Sequence, residues 1–188
     1  MEITAKLVKE LRDKTNSGMM DCKKALAECE CDLEKAVDWL RQKGLMTARK
    51  RAGRATKEGL IVANVSPDMK SGAMVELNCE TDFVAKNEGF QKLAADVVEM
   101  LLTSEAPADL TALLARSMSG GTTVDDAVKA LVGTIGENMN LRRFAVRKAS
   151  DGAFLHTYIH GPGRLGVMLE MAAEKMGAAA EELAHNSA

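Results

Sequence analysis

The apolar residues of this chain change their spacing at Gly59. Before it they recur at helical intervals; after it they gather in short runs rich in Val, Ile and Leu, beginning with LIVANV. A period near 3.6 and a period of two cannot share one regular element, so the chain has to build a helical module first and a sheet-bearing one second. The class this dictates is α+β: an N-terminal three-helix bundle, then a core domain with an antiparallel sheet and packed helices.

Within the first part, Thr4 is placed to cap a helix with Leu7, Val8 and Leu11 on one face, and Ile3 can staple onto Val8. The run Thr15 to Gly18 reads as a turn. A second helix carries Met19, Met20, Cys22, Ala25 and Leu26; Asp32 then caps a third with Leu33, Ala36, Val37 and Leu40, and Gly44 suits its end. The spacing therefore sets a bundle over 1–45, a basic linker over 46–58, a core subdomain over 59–149 and part of a second over 150–188.

After Gly59, LIVANV and AMVELNC flank a Pro-Asp and Ser-Gly turn region and predict an antiparallel pair. Phe90, Leu93, Ala94, Val97 and Leu101 mark an amphipathic helix for that sheet. Ser104 to Gly121 is poorly patterned. Thr123 with Asp126 starts a helix through Ile135, ended by Gly136. The runs RRFAVRKA, AFLHTYIH and RLGVMLEMA, separated by SDG and GPG, read as a meander that begins a second sheet, and the tail KMGAAAEELAHNSA has a helical composition.

Net charge is only −2, from 25 basic and 27 acidic residues, so no whole-molecule field selects nucleic acid or an anionic membrane. Aromatic content of 3% leaves few stacking platforms for bases. No apolar run approaches the ~20 residues that span a bilayer, and the N-terminus has no signal-peptide core, which points to the cytoplasm. Cys22, Cys29, Cys31 and Cys79 are spaced like neither a disulfide framework nor a zinc site. There is no GxxxxGK[ST], HExxH or GxSxG, and the three histidines lie late in the chain, so enzyme chemistry of the usual kinds is disfavoured and no cofactor is implied.

Two segments carry a family resemblance. LRDKTNSGMMDCKKAL, from Leu11 to Leu26, and ELNCETDFVAK, from Glu76 to Lys86, are similar to the two signatures of the elongation factor Ts family, with Asn16 where the family usually has glycine or another favoured turn residue. IGENMNLRR and YIHGPGRLGV follow in the family's order, so the resemblance covers Met1 to about Ala173. The first ~45 residues also resemble ubiquitin-associated (UBA-like) three-helix domains. The resemblance implies a guanine-nucleotide exchange factor that binds elongation factor Tu with GDP and promotes GDP release during translation elongation. It would act by protein binding and not as an enzyme, with no membrane and no direct nucleic acid. Some members pair through the core domain, so a homodimer is left open. Longer members continue with more of the second subdomain, a helical hairpin and a C-terminal segment, so this chain is either a fragment or a variant that dispenses with them.

The resemblance also implies roles for residues. Asp82 and Phe83, with Thr81 and Val84 beside them, form a wedge that enters the GTPase near its nucleotide, disturbs the magnesium-binding region and loosens GDP. Arg12, Met19, Met20 and Lys23 belong to the N-terminal contact, and Ile135 and His160 match further interface positions. From the residues alone, Phe83 is either a projecting anchor at a strand-to-helix connection or a lid packed on its own helix with Asp82 as cap. The basic run Arg49 to Lys57 fits a solvated helix face better than an RNA contact. The alternative to exchange is a helical binding module on an α+β domain with a ribosome- or RNA-associated role.

Overall fold

The computed structural model describes residues 2–15, 17–119 and 121–172. Twelve elements follow one another: α1 Ala5–Thr15, α2 Met19–Glu28, α3 Leu33–Arg51, β1 Glu58–Val65, β2 Ser71–Cys79, α4 Asp82–Ala85, α5 Glu88–Thr103, α6 Leu110–Leu114, α7 Val124–Ile135, β3 Met139–Lys148, β4 Ala153–His160 and β5 Leu165–Ala172. They form two compact units, one of residues 1–54 with 129–138, the other of residues 55–128 with 139–188. The mixed α+β class expected from the change of period is therefore observed.

In the first unit, three helices, two of them opened by side-chain caps, enclose one core. Thr4 Oγ1 accepts the Leu7 N–H at 3.3 Å and opens α1, while Asp32 Oδ1 accepts the Lys35 N–H at 3.1 Å and opens α3. Val8 and Leu11 of α1, Cys22, Ala25 and Leu26 of α2, and Ala36 and Leu40 of α3 are buried together, with Ile3, Leu7 and Trp39 packed against them. Burial pushes the Cys22 thiol up, so it remains a protonated core residue. The α2–α3 turn takes two consecutive residues, Glu30 and Cys31, at φ 51° and 65°. Asn16, part of the expected turn after α1, lies outside the described residues.

One expectation fails here. Gly44 does not end the third helix: α3 continues to Arg51, and Gly44 is buried inside it. Its missing side chain serves packing, because Gly133 of α7 lies against it and a Cβ on Gly133 would stand 2.4 Å from the Gly44 Cα. Glycine at a helix end and glycine at a close helix contact look identical in a sequence.

In the second unit, β1, β2 and β3 form an antiparallel sheet in that order, and β4 and β5 form a hairpin. Val62 pairs with Val75 across β1 and β2, as the two apolar runs predict. Ala73, Val75, Leu77 and Cys79 of β2 are buried on the face that meets α5, whose Phe90, Leu93, Ala94, Val97, Val98 and Leu101 are buried in turn. The opposite face of the sheet meets the hairpin: a Cβ on Gly72 of β2 would reach Met168 Sδ at 2.9 Å, and one on Gly166 would reach Ile61 Cγ2 of β1 at 2.7 Å.

The expected three-strand meander is corrected by this topology. The run RRFAVRKA belongs to β3, which starts earlier, at Met139, and pairs with β2, Cys79 opposite Met139 and Val75 opposite Phe144. Only β4 and β5 are partners of each other. β3 joins the first sheet because its buried Met139 and Leu141 continue the apolar face of Cys79 and Leu77. The poorly patterned stretch holds short α6, capped by Asp109, and a bridge between Ser117 and Thr123; Gly120 and the tail from residue 173 lie outside the described residues. Thr123 Oγ1 accepts the Asp126 N–H at 3.1 Å and opens α7, as its spacing predicts.

Candidate functional site

The segment from Cys79 to Phe90 turns the chain from β2 into α5 through one helical turn. Thr81 precedes α4 in extended geometry, φ −128° and ψ 157°, and its carbonyl accepts the Ala85 N–H at 3.3 Å. The buried Cys79 thiol donates to the Thr81 carbonyl at 3.1 Å. Beyond α4, Asn87 Oδ1 accepts the Gly89 and Phe90 N–H groups at 2.9 and 3.3 Å and starts α5. The Asn87 N–H is itself bonded to the Val84 carbonyl at 2.9 Å, so both ends of the turn are tied to regular elements.

This base decides where the side chains go. Val84 points inward and is 6% exposed, whereas Phe83 is 80% exposed. Phe83 thus takes the projecting arrangement and not the inward-packed lid. Asp82 does not cap the helix; it pairs with Lys86 one turn later at 2.8 Å. The Lys86 hydrogen bond holds the Asp82 carboxyl below the usual carboxylate range, with a further contribution from the charge of Arg164. Thr81 is half-buried. Val84, expected beside the wedge, is buried and anchors the turn beneath the tip.

His160 ends β4 in the same unit. Its exposed ring lies with Nδ1 3.0 Å from the Tyr158 hydroxyl. The turn that follows is fastened to the sheet, because the Ile61 N–H of β1 donates to the Gly163 carbonyl at 2.8 Å. Arg164 then pairs with Glu58 at the start of β1 at 2.7 Å. Arg164 was not singled out from the sequence: its pairing with a residue over a hundred positions away leaves no local signal.

The remaining candidates belong to the first unit. Arg12 is exposed near the end of α1, and Lys23 is exposed on α2. Met19 and Met20 occupy the first turn of α2 at 60% and 75% exposure, ahead of the core positions Cys22, Ala25 and Leu26. Ile135 is half-buried as the last residue of α7, followed by Gly136 at φ 88°. The ten predicted residues therefore divide between the units: Arg12, Met19, Met20, Lys23 and Ile135 in one, Thr81, Asp82, Phe83, Val84 and His160 in the other. Exposed apolar side chains at the tip and at the start of α2 suit protein contact. Among the described residues no group of His, Cys, Asp and Glu could hold a metal ion, and no helix is long and apolar enough to cross a membrane.

Residues 80–188 match the family model described as "Elongation factor TS". The chain is 50% identical over 182 residues to elongation factor Ts of Clostridium perfringens (strain SM101 / Type A), which covers 97% of this chain and 59% of that protein. It is 48% identical over 182 residues to the protein of the same name from Clostridium botulinum (strain Eklund 17B / Type B), with the same 97% and 59% shares. Against that of Nitratidesulfovibrio vulgaris (strain DP4) the identity is 47% over 181 residues, 96% of this chain and 58% of the relative. The chain thus spans somewhat under three-fifths of the length of these curated relatives. Two relatives from Clostridium and one from Nitratidesulfovibrio agree along nearly all of this sequence, with the family model matching from the strand-to-helix turn onward: the chain belongs to the elongation factor Ts family.

Proposed function

We propose that this chain acts as a guanine-nucleotide exchange factor: it binds the GDP-bound form of elongation factor Tu in the cytoplasm and promotes release of the nucleotide during translation elongation. The observation that supports this reading best is the 80% exposure of Phe83 on a turn whose neighbour Val84 is buried. Burying a phenylalanine is worth ~1.5–3 kcal/mol, so a ring held in water on a rigid base is stabilised when a partner's apolar pocket takes it.

No covalent chemistry is required. The Phe83 ring and the ionised Asp82 enter beside the nucleotide and disturb the region that holds magnesium, which weakens the grip on GDP. Arg12, Met19, Met20 and Lys23 supply a second hold, where unbranched methionines adapt to a moving surface. Ile135 and His160 extend the contact. In this reading the N-terminal bundle docks and the core that carries the tip does the work.

The test is release of fluorescently labelled GDP from purified elongation factor Tu, with this chain added well below the GTPase concentration. Acceleration with several turnovers per molecule of factor is expected. Release at the spontaneous rate would overturn the reading for this chain.

A further inference from the structure

A concave surface in the first unit is lined by none of the ten candidate contact residues. Trp39, Lys43, Met46 and Lys50 follow one another along α3 at spacings of four, three and four residues and so form one stripe. Lys24 of α2 and Gln42 and Thr47 of α3 complete a cleft of about 320 Å³. Its floor is apolar. Trp39 is half-buried against the bundle core, and Met46 is 58% exposed. Its rim is basic: Lys43 lies over the Trp39 ring, 5.6 Å from the centroid, and is paired with Asp21, whereas the exposed Lys24 and Lys50 make no ion pair among the described residues.

We propose that this cleft docks an acidic amphipathic helix of a partner protein. Apolar side chains on one face of that helix sit on Trp39 and Met46, and carboxylates flanking them meet Lys24 and Lys50. Charge complementarity selects the occupant, because two unneutralised ammonium groups bracket an apolar floor. A nucleic-acid strand fits less well, since the one aromatic ring has Lys43 across its face and offers a base no open platform. A bilayer requires a broad apolar face, and here Trp39 and Met46 are the two apolar residues among the seven that line the cleft.

Trp39 is the only tryptophan in the chain, so its emission reports occupancy directly. The full chain is titrated with a synthetic helical peptide of about 15 residues, leucine on one face and glutamate on the flanks. A peptide with lysine in place of glutamate and a single-stranded RNA oligonucleotide serve as the other arms. A saturable change in emission with the acidic peptide alone is expected. Met46→Asp should abolish it and the double variant Lys24→Glu, Lys50→Glu should weaken it at least ~10-fold. All three positions are exposed, so unchanged circular-dichroism melts are expected and show that the variants fold. No response to the acidic peptide, an equal response to the lysine peptide, tighter binding of the RNA, or undiminished binding by folded variants would each overturn the proposal. No GTPase is present, so the outcome is independent of the exchange reading.

Discussion

Phe83 and Val84 are adjacent and apolar, yet one is 80% exposed and the other 6%. That contrast yields opposite predictions. Val84→Ala empties a packed position and should cost about 1–3 kcal/mol in thermal unfolding. Phe83→Ala should change stability by no more than ~0.5 kcal/mol and slow GDP release roughly thirtyfold, the kinetic equivalent of losing an anchor worth ~2 kcal/mol. A large fall in melting temperature for Phe83→Ala would restore the lid arrangement. Asp82 gives a third outcome. Its folded-state pKa is depressed by Lys86, so their pairing operates at neutral pH, above the unfolded-state value, and is lost as pH falls through the depressed one. Lys86→Ala should therefore move the Asp82 titration upward toward the ordinary carboxylate range, which an NMR titration of its carboxyl carbon would read. The residues Asp82 to Ala85 alone do not say which apolar side chain faces out, because a single turn has no period to read. The answer depends on where β2 ends and on the Asn87 cap, both of which lie outside those four residues.

Elements were legible where the signal was local. Thr4, Asp32 and Thr123 each make the backbone hydrogen bond their spacing predicts. Pairing was legible for β1 and β2, joined by a short turn, and was misread for β3, which reaches β2 from some sixty residues away in sequence. Gly44 was misread because helix-end and helix-contact glycines carry the same letter. The two glycines of that contact are not equivalent, and a paired measurement exposes the difference. A Cβ at Gly44 would meet Gly133, Ala130 and Lys129 backbone at 3.7–3.8 Å, ordinary contact distances. Gly44→Ala should therefore keep or raise the melting temperature, gaining up to ~1 kcal/mol of helix propensity. A Cβ at Gly133 would stand 2.4 Å from the Gly44 Cα, which is backbone and cannot rotate aside. Gly133→Ala should cost about 1–3 kcal/mol by forcing the helices apart. Equal effects of the two substitutions would mean that the close approach of α3 and α7 is not what these glycines serve.

For the whole molecule, the predicted contact residues are divided between two units, and the proposed exchange gives the two groups separable tasks. Exchange by binding is a coupling between nucleotide and factor, and coupling is reciprocal: if the factor lowers GDP affinity by some ratio, GDP lowers factor affinity by the same ratio. That ratio can be measured from either side, from GDP dissociation constants with and without factor and from factor binding with and without GDP. The two values must agree. In the proposed exchange Phe83 acts where nucleotide and factor compete, so Phe83→Ala should shrink the ratio toward one from both sides. In the same proposal Met19 and Met20 act by holding on, so replacing both by alanine should weaken factor binding equally in the nucleotide-free and GDP-bound states and leave the ratio unchanged. Both methionines are exposed, so this double variant should melt like the parent chain. If it shrank the ratio as much as Phe83→Ala does, docking and wedging would be a single act, and the separation between bundle and tip would have to be abandoned.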